Sequence, residues 1–122
     1  PAQEGSVRRI DRETGLKYAS GKKDFYDKLL KMYYDQSAGK KADLEKALAE
    51  DNVKNYVVTV HSIKGNSRMI GAVEFAEQAL ALEQAGKAED MDFIRTNHEA
   101  LMQEYDKVLE DVKSIIEGEE KE

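Results

Sequence analysis

Hydrophobic residues recur along this chain every three to four positions, which is the spacing of one face of an α-helix. The clearest stripe lies near the end and predicts a helix over about residues 89–117. Its members are Ile94, His98, Leu101, Tyr105, Val108, Val112 and Ile115. An earlier stripe predicts a second helix, whose buried face consists of Val53, Tyr56, Val57, Val60, Ile63, Ser67 and Ile70. Both stripes are wide enough to pack against neighbouring helices.

The first third of the chain predicts shorter elements. A short helix over residues 11–19, with Asp11 as its cap, precedes a break at residues 20–21. The apolar positions of the next helix are Phe25, Leu29, Met32 and Gln36, with Tyr26, Leu30 and Tyr33 beside them. A turn is predicted at residues 37–39. A separate short helix then carries Leu44, Ala47 and Leu48.

Two glycines bound an alanine-rich helix over residues 72–85. Gly71 indicates a turn or a close contact before it, and Gly86 occupies the position of a C-terminal glycine after it. Together the elements predict an all-α protein, an antiparallel up-down four-helix bundle with a short extra N-terminal helix and no strand. We expect a single domain over residues 1–122, with a core of about 10–117 and an acidic tail over 117–122 that frays.

Composition and charge narrow the functional classes. The net charge of −6 argues against a nucleic-acid partner, because such binding needs clustered positive charge. No apolar run approaches the roughly 20 residues that cross a bilayer, so we expect no membrane insertion. The absence of cysteine excludes disulfides and thiol chemistry and fits a reducing compartment. We therefore expect a cytoplasmic protein.

The segment from His61 to Gly65 carries the candidate chemistry. By angular count His61 lies roughly 130° from the centre of the apolar stripe, so it should face solvent from the middle of a helix. Lys64 lies at the border of the buried face, and Gly65 and Arg68 follow on the exposed side. A glycine inside a helix costs about 1 kcal/mol relative to alanine. The presence of Gly65 therefore points to a reason other than folding.

These residue types suit phosphoryl transfer. A neutral imidazole leaves one ring nitrogen free as a nucleophile. Lys64 and Arg68 can balance the roughly two negative charges of an attached phosphoryl group, and Gly65 leaves room for that group or for a partner's backbone. On these grounds alone, the alternative of an ordinary solvated surface histidine stays open.

The same segment resembles the His-x-Leu-Lys-Gly pattern of histidine-containing phosphotransfer (HPt) domains of two-component phosphorelays. The resemblance spans about residues 10–115 and includes Phe25-Tyr26, Leu29-Leu30, Leu44, Ser67, Gly71-Ala72 and Leu82-Glu83. It implies that His61 takes a phosphoryl group from the aspartate of one receiver domain and passes it to the aspartate of another. Lys64 and Gly65 would occupy the family's supporting positions.

Glu83 matches a family position whose side chain often hydrogen-bonds the other ring nitrogen of the histidine. A hairpin that turns near Gly71 would bring residues 81–83 level with His61. A carboxylate that accepts from Nδ1–H leaves Nε2 as the nucleophile. The alternative for Glu83 is a surface salt bridge. The other histidine, His98, falls on an apolar stripe and is predicted to be a packed structural residue.

The resemblance implies a phosphohistidine carrier with no kinase activity of its own, and no nucleotide-binding motif is present. It implies no cofactor, with Mg²⁺ required only in the acidic pocket of the partner receiver. The implied partners are response-regulator receiver domains and a hybrid sensor histidine kinase, in cis or in trans. We expect a monomer. Whether the chain is free-standing or the terminal domain of such a kinase is left open.

A partner-docking surface is predicted on the exposed face of the motif helix, where Lys54, Val58 and Arg68 join His61 and Gly65. A basic and partly apolar patch on an acidic domain suits the acidic pocket of a receiver. The alternative function is a non-catalytic helical docking bundle that binds receivers without being phosphorylated. The two hypotheses differ at His61, which only a carrier requires.

Overall fold

The computed structural model describes the backbone of residues 6–7 and 9–121 and the side chains of residues 9–118. A short antiparallel pairing of β1 (Ser6–Val7) with β2 (Ile10–Asp11) comes first. The helices that follow are α1 (Arg12–Tyr18), α2 (Lys23–Ala49), α3 (Val53–Ile70), α4 (Val73–Lys87) and α5 (Met91–Lys121). The all-α class and the short leading helix are confirmed, whereas the absence of strands was a wrong prediction.

The four long helices pack in a ring, because α2 and α4 each contact both α3 and α5. α2 and α3 run in opposite directions, as two hydrogen bonds between them show. Near one end of the α2–α3 contact, Tyr26 Oη donates to the carbonyl of Ile70 at 2.8 Å. Further along α2 and further back along α3, Lys40 Nζ donates to Ser62 Oγ at 2.7 Å.

The core is built on the apolar stripes predicted for α3 and α5. Every member of the α5 stripe is buried, and in the α3 stripe only Val53 and Val57 are half-buried. Burying one Leu, Ile or Val side chain completely contributes roughly 1.5–3 kcal/mol of transfer free energy. These two stripes are therefore a major source of the stability of the fold, and both predictions are confirmed.

α2 continues through residues 37–39, so the predicted turn there and the separate short helix after it are wrong. Ser37 is buried, and its Oγ donates to the carbonyl of Tyr34 at 2.6 Å, which satisfies the hydroxyl within the helix. Gly39 costs about 1 kcal/mol relative to alanine. Leu44 and Ala47, further along α2, are buried. Their burial offsets the cost of Gly39, because both side chains reach the core only if the helix continues.

The buried face of α2 also differs from the predicted one. Phe25 and Met32 of the predicted stripe are 47% and 53% exposed, while the neighbouring stripe that includes Tyr26 and Tyr33 is buried. Both stripes have helical spacing, so spacing alone cannot choose between them. The structure satisfies the hydroxyl groups of the buried tyrosines, for example by a 2.8 Å hydrogen bond between Tyr33 Oη and Ser67 Oγ.

α4 ends at Lys87, and Gly86 is not the C-terminal glycine that the sequence predicts. A Cβ at Gly86 would lie 2.3 Å from Val57 Cγ2, so the glycine allows α4 to pack closely against α3. The left-handed backbone conformation after this helix falls on Glu89, whose φ is 57°.

An N-terminal strap, residues 9–19, packs against α2 and α3 through α1 and against α5 through β2. Ile10 is fully buried in the core. The N–H of Asp11 donates to the carbonyl of Gly71 at 2.9 Å. Gly71 has a φ of 94°, and a Cβ there would lie 2.0 Å from the carbonyl oxygen of Asp11, so the turn requires glycine. The predicted close contact at Gly71 is confirmed, as is the Asp11 cap, which accepts from Thr14 N at 3.2 Å.

The acidic tail is helical as far as Lys121, and that its end frays stays a prediction. Glutamate and lysine are good helix formers, which allows α5 to continue past its last buried residues. Glu122 lies outside the described residues. Over the described part of the chain, no helix is both long and apolar enough to cross a membrane.

Candidate functional site

α3 carries the candidate site and is fixed at both ends. Asn52 caps its N-terminus by accepting from Asn55 N at 3.0 Å, and Gly71 ends it in the left-handed conformation. His61 lies midway along this helix with 62% of its side chain exposed. The imidazole therefore faces solvent from a rigid support, as the angular count predicts.

Glu83, on α4, contacts the ring of His61. The α3–α4 hairpin brings these residues, 22 apart in the chain, to a distance of 2.7 Å between Nδ1 and Oε2. Glu83 is only 1% exposed, whereas a surface salt-bridge residue would be solvated. The expected contact with the ring is confirmed, and the alternative of a surface residue is wrong.

Two lysines complete the surroundings of the Glu83 carboxylate. Lys64 Nζ lies 2.7 Å from Oε1, and Lys87 Nζ lies 3.2 Å from Oε2. Burial alone would raise the pKa of Glu83, but the hydrogen bonds from Lys64, His61 and Lys87 outweigh it and lower the pKa from 4.5 to about 2. The carboxylate is therefore ionised at neutral pH. In this arrangement Lys64 holds Glu83, so balancing a phosphoryl group would require it to leave that partner.

The contacts of His61 define its tautomer. An ionised carboxylate can only accept hydrogen bonds, so Nδ1 must carry the proton it shares with Glu83. Lys64 Nζ also lies 3.3 Å from Nδ1. Its ammonium group cannot donate to a nitrogen that already donates, so the shorter contact with Glu83 decides the assignment. In the neutral ring the lone pair is then on Nε2, on the exposed side chain.

Gly65 lies one helical turn after His61 and is half-buried. A Cβ built at this position would meet no atom within 4 Å outside its own helical surroundings. Packing within the chain therefore does not require a glycine here. A side chain at this position would therefore extend into open space.

The predicted docking residues lie along the same helix. Lys54 is exposed, and Val58 is 63% exposed. The side chain of Arg68 is 36% exposed, and its guanidinium lies 3.9 Å from a carboxylate oxygen of Glu77, a loose surface ion pair. These three residues form an outward face with His61 and Gly65, and we call these five residues the docking face.

Two cations near the site are not predicted from the sequence. Lys87 contacts Glu83 from the next turn of α4, and Lys40 reaches from α2 to Ser62. The spacing of Glu83 and Lys87 by four residues is a recognisable signal of a helical ion pair. No sequence signal links Lys40 to Ser62, because their contact depends on how α2 packs against α3.

His98 is 6% exposed and packed, as predicted. Tyr56 Oη lies 2.9 Å from its Nδ1, and Glu45 Oε1 lies 3.1 Å from its Nε2. Both ring nitrogens are therefore satisfied inside the protein. Among the described residues, no group of three or more histidine, cysteine, aspartate or glutamate side chains is arranged to hold a metal ion.

Comparison with protein families identifies the fold around this site. The family model of the Hpt domain matches residues 28–114, which include α3, α4 and every residue of the candidate site. The chain belongs to the Hpt domain family. Hpt domains take part in phosphotransfer in two-component signalling and interact with the receiver domains of response regulators.

The Hpt match does not include residues 9–27, so the N-terminal strap lies outside it. Neither the curated proteins nor the solved structures gave a match to this chain. The resemblance stated from the sequence is thus confirmed at the level of the family. The roles of the individual residues of this Hpt domain stay predictions.

Proposed function

We propose that this Hpt domain accepts a phosphoryl group on Nε2 of His61 from the phospho-aspartate of one receiver domain and passes it to the aspartate of another. The observation that carries the proposal is the 2.7 Å hydrogen bond between His61 Nδ1 and Glu83 Oε2. This bond fixes the tautomer in which the Nε2 lone pair is free. The exposure of the ring gives a receiver direct access to that nitrogen.

The transfer needs no separate proton acceptor. The Nε2 lone pair attacks phosphorus, the P–O bond to the donor aspartate breaks, and this aspartate leaves as a carboxylate. The ring keeps its Nδ1–H and gains a positive charge, which Glu83 stabilises through the existing hydrogen bond. In the second transfer the N–P bond breaks as the next receiver's aspartate attacks, and the ring returns to neutral imidazole.

The other predicted site residues support this chemistry in different ways. Lys64 pairs with Glu83 Oε1 and keeps the carboxylate ionised and oriented. Gly65 leaves space next to the ring for the approaching receiver. Lys54, Val58 and Arg68 belong to the docking face and contact the receiver around its acidic pocket.

The proposal includes finer expectations about the whole protein. The four long helices form an antiparallel up-down bundle, and the protein acts as a monomer in the cytoplasm. It is a carrier without kinase activity and without a cofactor, and Mg²⁺ binds in the receiver. A hybrid sensor histidine kinase, in cis or in trans, supplies the phosphoryl group through its receiver domain.

Incubation with a phosphorylated receiver tests the proposal. The wild-type chain should gain an acid-labile label, and His61→Gln should gain none while it still binds the receiver. Because His61 is exposed, the substitution should change the free energy of unfolding by less than about 0.5 kcal/mol. If both proteins bind the receiver and neither is labelled, the docking-only function is favoured. That function gives the buried Glu83 cluster no role.

A further inference from the structure

We infer that Lys40, on α2, binds the phosphoryl group that His61 carries. The inference rests on the proposed function and adds a phosphoryl-binding residue to the same site. Lys40 Nζ donates to Ser62 Oγ at 2.7 Å, so α2 places an ammonium group beside the residue that follows His61. A phosphoryl group on the ring brings roughly two negative charges to this place, and a cation within reach stabilises them.

The two lysines on the other side of the ring already have a charged partner. Lys64 Nζ and Lys87 Nζ both pair with the carboxylate of Glu83, at 2.7 Å and 3.2 Å. Glu83 is only 1% exposed, so moving either lysine away would leave a buried charge with fewer partners. These two lysines therefore hold the carboxylate, and the phosphoryl group is left to a third cation.

Lys40 differs from these lysines in its partner. Its ammonium group donates to a neutral hydroxyl and, within the part of the chain that the structure describes, forms no ion pair with a carboxylate. A phosphoryl oxygen would add the attraction of an opposite charge, which the hydroxyl of Ser62 lacks. The flexible four-carbon side chain of a lysine allows the ammonium group to turn from Ser62 to the phosphoryl group.

The orientation of the ring also favours Lys40. α3 packs between α2 and α4. Nδ1 of His61 faces Glu83 on α4, and the two nitrogens of an imidazole face away from each other, so Nε2 faces away from α4. Lys40 reaches the site from α2, on the other side of α3. It therefore approaches the side of the ring that takes the phosphoryl group.

The cations of the docking face lie further from the ring along α3. Lys54 and Arg68 are each seven residues from His61, which is about 10 Å along the helix axis. Lys40 contacts the residue next to His61 and is thus held at the level of the ring. Lys54 and Arg68 are placed to contact the receiver, and Lys40 is placed to contact the phosphoryl group.

Phosphorylation of His61 by two donors tests this inference. One donor is a phosphorylated receiver, and the other is phosphoramidate, a small molecule that needs no docking surface. Lys40→Met removes the charge and Lys40→Arg keeps it. Lys31→Met is the matched control, because Lys31 is exposed on the same helix but lies next to residues of α5.

We expect Lys40→Met to slow phosphorylation about tenfold with either donor, as the loss of one hydrogen bond to a charged group predicts. Lys40→Arg and Lys31→Met should react at close to the wild-type rate. The affinity of Lys40→Met for an unphosphorylated receiver should not change, and circular dichroism checks that the variant is folded.

Ser62→Ala separates phosphoryl binding from a merely structural role of the hydrogen bond between Lys40 and Ser62. This substitution breaks the same hydrogen bond but leaves the ammonium group in place, so the rates should stay close to wild type. Equal losses in Ser62→Ala and Lys40→Met would overturn the inference. A loss that appears with the receiver but not with phosphoramidate would also overturn it, because Lys40 would then contact the receiver.

The phosphoramidate reaction distinguishes failure of the inference from failure of the proposed function. If a phosphorylated receiver does not label the wild-type chain, the proposed function fails, and the phosphoramidate rates still decide the role of Lys40. If the receiver labels wild type and Lys40→Met at the same rate, the inference fails alone. If His61 takes a phosphoryl group from neither donor, both fail.

Discussion

Lys64 Nζ lies 2.7 Å from Oε1 of Glu83, so the lysine one turn after His61 is paired with a buried carboxylate. Lys87 and the His61 ring share the other oxygen of the same carboxylate. Removing one partner from a buried charged cluster usually costs more than the cluster contributes as a whole. The reactive ring is the exposed member of this unit, whose buried carboxylate is also held by the two lysines.

Glu83 should make the stability of the fold depend on pH. Its pKa is lowered from 4.5 to about 2 in the folded protein. Its contribution to the free energy of unfolding is therefore fully present above pH 4.5 and is lost as the pH falls towards 2. We expect Glu83→Gln to be less stable than wild type at neutral pH by about 1–3 kcal/mol, with a smaller difference in acid.

Urea unfolding followed by circular dichroism, at neutral pH and at several values below 4.5, measures this difference. A gap between the two proteins that is the same at every pH would contradict the assignment of an ionised, paired Glu83.

Gly65 should matter through the space it leaves. Gly65→Ala should stabilise the helix by up to about 1 kcal/mol, because alanine has the higher helix propensity and its Cβ would meet no atom within 4 Å outside its own helical surroundings. The same substitution should slow phosphoryl acceptance modestly, and Gly65→Gln should slow it much more because its longer side chain obstructs the receiver. Thermal unfolding and initial transfer rates check both effects. Equal transfer rates in all three proteins would remove the steric explanation.

Arg68 should contribute to receiver binding by its charge. Arg68→Glu places a negative charge on the docking face and should weaken binding and slow transfer, with a smaller loss at high salt because of screening. Its ion pair with Glu77 is long and exposed, so the fold should be little affected. Lys113→Glu, an exposed substitution on α5, makes the same change of net charge elsewhere. Equal losses in the two variants would show that overall charge matters and the docking face does not.

The N-terminal strap should stabilise the fold although it lies outside the family match. Ile10 is fully buried, so Ile10→Ala should destabilise the protein by about 2–5 kcal/mol through lost burial and a cavity. Tyr18→Ala is the matched control in the same strap, because Tyr18 is 55% exposed. Chemical denaturation of both variants gives the comparison. A loss in Ile10→Ala no larger than that in Tyr18→Ala would mean that the strap contributes little.

The sequence predicts the buried faces of α3 and α5, because one apolar stripe on each helix is clearly stronger than its surroundings. It also places His61 on the opposite face and Glu83 level with it, since both follow from helical geometry and one hairpin. The sequence does not predict the buried face or the full length of α2. Two apolar stripes with helical spacing lie side by side on this helix, and packing elsewhere offsets the small free-energy cost of Gly39 inside it. That packing depends on long-range contacts such as the one between Tyr33 and Ser67, which no local pattern encodes.

The central claim is that Glu83 holds the Nδ1–H tautomer of His61 and thereby directs the phosphoryl group to Nε2. The most direct test is to phosphorylate the ¹⁵N-labelled protein with a phosphorylated receiver and to identify the bonded nitrogen by NMR. We predict coupling of phosphorus to Nε2 of His61, with the proton retained on Nδ1 next to Glu83. A phosphoryl group on Nδ1, or on any other residue, would contradict the account.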